Sequence, residues 1–188
     1  MLVSARFVVQ PSSLRKESDL VKVLFVCLGN ICRSPLAEGI FRDRVLAAGL
    51  REGADGDVLA ASAGTGSWHA GRPPDPRSVG VAARHGIDIA SQCARQVQAE
   101  DFVSFDYILA MDRDNLATLQ GLAGGDPVAR IALLMDFAHG SRLSEVPDPY
   151  FFRDEAGYNR VFRAIEEGVD GFFDHLRETH FRQIQING

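Results

Sequence analysis

With 188 residues, 46% of them hydrophobic, the chain carries enough apolar material for one domain with a substantial core, and no composition shift argues for two. Its net charge of -5 contains no block of like charge, and no apolar run approaches the ~20 residues that span a bilayer, so neither a nucleic-acid surface nor a membrane is expected as partner. Three cysteines, two of them in one short loop, do not make the disulfide framework of a secreted protein, and a reducing cytoplasm is the expected setting.

Residues 1–20 lack a basic start followed by a sustained apolar core, so they read as a poorly ordered arm, not as a signal peptide. Residues 23–26, an unbroken apolar run, predict a strand buried on both faces. Leu28, Gly29, Asn30, Ile31 and Cys32 then form a loop between Cys27 and Arg33, with Gly29 and Asn30 tolerant of left-handed backbone. Ser34-Pro35 opens a helix, with Ser34 near its N-cap, that carries Ala37, Ile40, Phe41, Val45 and Ala48 on one face and ends near Gly49. A second strand is expected over residues 58–61. The Gly- and Pro-rich stretch 62–77 holds Trp68 with His69 beside it and reads as a functional loop. Asp75 caps a helix over 78–84, ended by His85-Gly86, and residues 99–102 add another turn.

Residues 107–110 predict the third strand, with Asp112 after it and a helix over 113–122. Residues 131–135 predict the fourth strand. Residues 144–152 form a loop containing Val146-Pro147-Asp148-Pro149-Tyr150, and a long amphipathic helix follows, with Tyr158, Val161, Phe162, Ile165, Val169, Phe172, Phe173 and Leu176 on its core face. Residues 181–188 read as a tail. Strands alternating with helices indicate an α/β fold with a parallel sheet and right-handed crossovers. Ligands bind such sheets beyond the C-terminal strand ends, where strand order reverses. The Cys27 loop leaves the first strand there, and Ser62, Asp112 and the Asp148 loop follow other strands into the same crevice.

A tight loop running into a helix start aims several backbone N–H groups at one point, which suits a phosphate. Arg33 adds a planar fork of donors that grips two phosphate oxygens. Cys27 beneath that ring of positive potential is a nucleophile, because a thiol there loses its proton more readily. A thiolate attacking phosphorus would form a covalent thiophosphate. Asp148, on a loop stiffened by two prolines, is the candidate general acid and then the base that activates water, and an acidic optimum is expected. Ser34 would also steady the thiolate through its hydroxyl. Cys32 reads either as a small filler or as a partner for a reversible disulfide with Cys27. The five histidines show no metal-ligand spacing, so neither a metal nor a cofactor is expected.

The stretch Val-Leu-Phe-Val-Cys-Leu-Gly-Asn-Ile-Cys-Arg-Ser-Pro-Leu-Ala-Glu, residues 23–38, resembles the signature of the low-molecular-weight protein tyrosine phosphatases. Ser62-Ala63-Gly64-Thr65 with Trp68, Asp75-Pro76-Arg77, Phe105-Asp106-Tyr107-Ile108-Leu109 with Met111-Asp112, and Asp148-Pro149-Tyr150 extend the resemblance over residues 21–176. It implies a single-domain, flavodoxin-like α/β fold spanning residues 21–180, with a four-stranded parallel sheet flanked by helices on both faces. It also implies Cys27 as nucleophile, Arg33 as phosphate clamp and Asp148 as general acid. Asn30, Ser34 and Ser62 become the network that holds the loop, and Trp68, Tyr150 and Phe151 the walls of its entrance. A related branch acts on phosphoarginine and typically has Thr where this chain has Ile31, so Ile31 points to phosphotyrosine. The implied partner is a phosphotyrosine protein, a tyrosine kinase being one class, with the enzyme a monomer or weak dimer. Phe151 stands where animal members often carry a second tyrosine, and Ser91 is read at a position where some relatives have a loop-binding His. Two rivals remain at this point. An arsenate reductase on the same fold would want a late pair of resolving cysteines, whereas only Cys93 follows the loop. A non-catalytic phosphoprotein-binding module would not need Cys27, Arg33 and Asp148 together.

Overall fold

In the computed structural model, which describes residues 20–124, 127–152 and 154–181, the run around Phe25 forms β1 (Val21–Cys27). Nearly all of the expected arm and of the expected tail lie outside the described residues. Every residue of β1 except Lys22 is buried, as a parallel strand covered on both faces requires. Its side chains alternate between two cores. Val23, Phe25 and Cys27 pack with apolar residues of α1 (Arg33–Ala47) and α5 (Glu155–Thr179), while Leu24 and Val26 pack with Phe102 of α3 (Asp101–Ser104) and Leu119 of α4 (Arg113–Ala123). Helices therefore cover both faces.

With β2 (Val58–Gly64), β3 (Tyr107–Ala110) and β4 (Arg130–Leu133), the sheet has the order β2-β1-β3-β4, all parallel. Cys27 is in register with Gly64, and Val26 with Ala110. From β1 the chain builds β2 on one side and then crosses to build β3 on the other. Strand order reverses between β1 and β3, and the Cys27 loop leaves the sheet at that point. The aromatic stripe of α5 is core, as expected: Phe172 meets the rings of Phe41, Tyr107 and Phe137 at centroid distances of 5.7, 5.2 and 5.0 Å.

Several boundaries differ from expectation for local reasons. Helix α2 (Pro76–Arg84) begins two residues early because Pro76 fits the first turn behind Asp75, whose carboxylate accepts from Arg77 N at 2.8 Å. Helix α5 begins at Glu155 because Asp154 caps it, accepting from Gly157 N at 2.9 Å. β4 stops at Leu133, where the chain tightens into a 3₁₀ turn over Leu134–Phe137 with Asp136 accepting from Leu133 N. Ser34 is not the cap of α1. That helix starts at Arg33 behind Cys32 with no side-chain cap, and the Ser34 hydroxyl is engaged elsewhere.

Candidate active site

The loop after β1 is held in shape by Asn30, the only non-glycine residue with positive φ (54°) among those described. Asn tolerates this left-handed conformation better than most residues, yet the side chain does more than tolerate it. Its Nδ2 donates to Ser34 Oγ at 3.0 Å and to Ser62 Oγ at 2.9 Å, and its Oδ1 accepts from the backbone N–H of Arg95 at 2.8 Å. The exit of β2 closes on the loop from the other side. Thr65 N donates to Cys27 O and Gly66 N to Leu28 O, each at 2.9 Å. A Cβ at Gly64 would lie 2.8 Å from Leu28 O, so the approach requires glycine. The start of α1 has no side-chain cap, so its first-turn N–H groups are of the kind that an anion at a helix N-terminus would satisfy.

Cys27 is buried, with its Sγ 3.1 Å from Ser34 Oγ and 3.3 Å from Asn30 N. Because Ser34 Oγ already accepts from Asn30, its own proton is available to the sulfur or to Ala63 O at 3.3 Å. Arg33, only 3% exposed, donates through Nη1 to Asp112 Oδ2 at 2.5 Å and to Val146 O at 3.2 Å, and through Nη2 to Asp148 Oδ2 at 3.3 Å. Burial works against its charge, but Cys27, Asp148 and Asp112 more than offset this and raise the guanidinium pKa. Asp112 follows β3 and uses its other oxygen to cap α4, accepting from Asn115 N at 2.7 Å. Asp148 caps the 3₁₀ turn Pro149–Phe151 through Oδ1, and Val146 N donates to Met111 O at 2.8 Å, pinning this late loop to the end of β3. Cys27, Arg33, Asp112 and Asp148 thus meet at the switch point of the sheet.

Cys32 is buried beneath the loop beside the Ser78 and Tyr158 side chains. Burial first, then the Asp75 and Cys27 charges, push its thiol up to about 12 against the pull of those two hydroxyls. Ile31 is partly buried, and its carbonyl accepts from Asp75 N at 2.7 Å. Trp68 is 63% exposed, with its indole lying on Gly66, two residues beyond the stitch to Leu28. Leu28 and Tyr150 are also exposed, whereas the Phe151 side chain lies outside the described residues. Three neighbours of the loop were not among the expected site residues. His69 rests its imidazole on Gly29, the Arg95 backbone holds Asn30, and Glu38 is buried in α1 near Ser62. In the stretch before Arg95 it is Gln92, not Ser91, that reaches the loop's helix, donating to Pro35 O at 3.2 Å. The spacing of Gln92 from Arg95 offers no signal for this, since it depends on how the coil after α2 folds back.

Comparison with known proteins agrees with this geometry. The profile of the family described as "Low molecular weight phosphotyrosine protein phosphatase" matches residues 22–182. The low molecular weight protein-tyrosine-phosphatase YfkJ of Bacillus subtilis is 44% identical over 151 residues, covering 80% of this chain and 92% of that protein. Its crystal structure superposes with a TM-score of 0.77 at 40% identity, covering 85% of this chain and 96% of that one. The crystal structure of DARP, the Drosophila arginine phosphatase, superposes with a TM-score of 0.76 at 34% identity, covering 84% of this chain and 98% of that one. A cysteine and an arginine brought together by a loop between β1 and α1, on a four-stranded sheet shared with these proteins, place this chain in the low molecular weight phosphotyrosine protein phosphatase family.

Proposed function

We propose that this protein hydrolyses phosphotyrosine in proteins, and simple aryl phosphates, through a cysteinyl-phosphate intermediate. The observation that carries the reading is the meeting of Cys27, Arg33 and Asp148 from opposite ends of the chain. Arg33 exchanges its contact with Asp148 for two phosphate oxygens, keeping Asp112 behind it. The Cys27 thiolate attacks phosphorus, the bond to the tyrosine oxygen breaks, and Asp148 gives that oxygen a proton. Water then attacks phosphorus, the Asp148 carboxylate takes its proton, and the P–S bond breaks to release phosphate. The Ser34 hydroxyl stabilises the sulfur as leaving group in this second step.

An apolar side chain at Ile31 and the exposed rings of Trp68 and Tyr150 favour an aryl over a guanidino leaving group. A structural relative described as an arginine phosphatase makes phosphoarginine the competing substrate. Competition between phosphotyrosine and phosphoarginine peptides decides between them, with Ile31→Thr expected to shift the ratio toward phosphoarginine. Among the described residues no helix is long and apolar enough to cross a membrane. A reducing compartment suits the free thiols of Cys27 and Cys32, and Cys32 would take up an oxidised Cys27 in a reversible disulfide.

The direct test is hydrolysis of p-nitrophenyl phosphate without added metal. Cys27→Ser abolishes turnover. Asp148→Ala slows departure of poor leaving groups while phosphate still binds. Undiminished turnover by Cys27→Ser refutes the nucleophile, and undiminished turnover by Asp148→Ala moves the acid elsewhere.

A further inference from the structure

The loop that carries Asp148 has an anchor outside the reacting groups. When Arg33 turns from Asp148 to the phosphate, Asp148 loses the contact that ties it to the catalytic loop at 3.3 Å. Its other oxygen, Oδ1, accepts from Tyr150 N at 3.0 Å, a bond within its own turn that does not fix where the turn as a whole sits. A proton donor must stay within hydrogen-bond reach of the leaving oxygen, so the loop needs a hold elsewhere.

Glu145 supplies that hold from just ahead of Asp148. Its Oε2 accepts from the backbone N–H of Arg113 at 2.9 Å, and its Oε1 from Arg113 Nη1 at 2.9 Å. Arg113 opens α4 and follows Asp112, the carboxylate behind Arg33. Its N–H is one of the amides that a helix start leaves without an intrahelical partner, and the helix dipole favours an anion there. The side-chain ion pair adds little, because the Arg113 and Glu145 side chains are open to water, at 66% and 33% exposed. Next along the chain, Val146 N donates to Met111 O at 2.8 Å. Pro147 and Pro149 then leave little backbone freedom between this anchor and Asp148. A shift at Glu145 therefore reaches the acid.

We propose that Glu145 is a positioning residue for the reaction, setting through the Arg113 N–H the place of Asp148 at the rim once phosphate has taken Arg33. That role rests on Asp148 being the general acid. It differs from a stabilising role alone, which would lower turnover of every substrate alike or not at all.

The test is kcat/KM for phenyl phosphate against p-nitrophenyl phosphate, whose leaving groups differ in their need for a proton. Glu145→Ala lowers kcat/KM for phenyl phosphate by roughly three- to tenfold more than for p-nitrophenyl phosphate, the scale of one lost hydrogen bond. Competitive inhibition by inorganic phosphate is unchanged, since Arg33 and the Cys27 loop are untouched. Glu145→Gln keeps an acceptor for the Arg113 N–H and recovers most of the loss. In an Asp148→Ala background Glu145→Ala makes no further difference to the ratio of the two substrates. Equal losses on both substrates, no loss on either, or a full further effect on top of Asp148→Ala overturn the proposal. If Asp148→Ala leaves the ratio as in wild type, the acid assignment fails and the role of Glu145 with it; if Asp148→Ala shifts the ratio and Glu145→Ala does not, Asp148 stands and the role of Glu145 alone falls.

Discussion

Asn30 concentrates the strain and the order of the catalytic loop in one residue, so replacing it separates the two. Its carboxamide makes three hydrogen bonds, to Ser34, Ser62 and the Arg95 backbone, in a residue only 2% exposed. Losing the carboxamide leaves the Arg95 N–H without its acceptor, a loss of about 1–3 kcal/mol. Its φ of 54° adds a second term for any residue with an ordinary Cβ, about 1–2 kcal/mol for alanine and nearly nothing for glycine. Asn30→Ala is therefore expected to lose about 2–5 kcal/mol, and Asn30→Gly about 1–3 kcal/mol. Urea unfolding at neutral pH with unchanged m-values reads the difference directly. Both variants lose turnover, because Ser34 and Ser62 no longer share a donor. If the two variants are equally stable the backbone argument fails. If both match the wild type, the hydrogen bonds carry no weight and the loop is held by the Thr65 and Gly66 amides alone.

Arg33→Lys removes the fork that reaches Asp112, Val146 and Asp148 together, and kcat/KM for p-nitrophenyl phosphate should fall about a hundredfold or more; a loss under threefold would refute the clamp. For Glu38 the folded pKa lies above the unfolded one, so its contribution to stability is full below the unfolded value and is lost as pH rises through the folded one. Urea midpoints should accordingly shift in favour of Glu38→Gln between pH 4 and pH 7, whereas a gap that does not change with pH contradicts the raised pKa. Because the Cys32 thiol is pushed up to about 12, iodoacetamide at pH 7 should label Cys27 and the exposed Cys93 well ahead of Cys32, and equal labelling would show that Cys32 is not shielded. After brief peroxide treatment, reductant should restore more activity to wild type than to Cys32→Ser; equal recovery would leave Cys32 a filler.

The strands were legible because parallel strands buried on both faces need uninterrupted apolar runs, and β3 lies where its run lies, at Tyr107–Ala110. Asp75 as a cap and Asp112 at the rim followed from local position. Their neighbours were harder to read. Ser34 has the local character of an N-cap, but Asn30 and Cys27 claim its hydroxyl, and both contacts depend on how β1 and α1 meet. The Arg95 amide that holds Asn30 is a backbone group, which no residue type announces. His69 sits next to Trp68 in sequence, yet only the turn of the 65–70 loop sets its ring, and not the indole, against Gly29. Where a role depends on one segment's own residues, the sequence suffices; where it depends on two segments meeting, the fold is needed.

Asp112 joins two structures that are otherwise separate. One of its oxygens holds Arg33 and the other holds the first turn of α4. The two bonds share one side chain, so their free energies are linked and the linkage is reciprocal. If phosphate at Arg33 alters the Asp112 bond, the start of α4 must respond, and the reverse effect has the same size. A ligand bound more than one strand away from β4 would then be felt on the flank of the sheet that carries α4, and any partner that grips that helix would alter, by the same factor, how tightly the catalytic loop holds its anion.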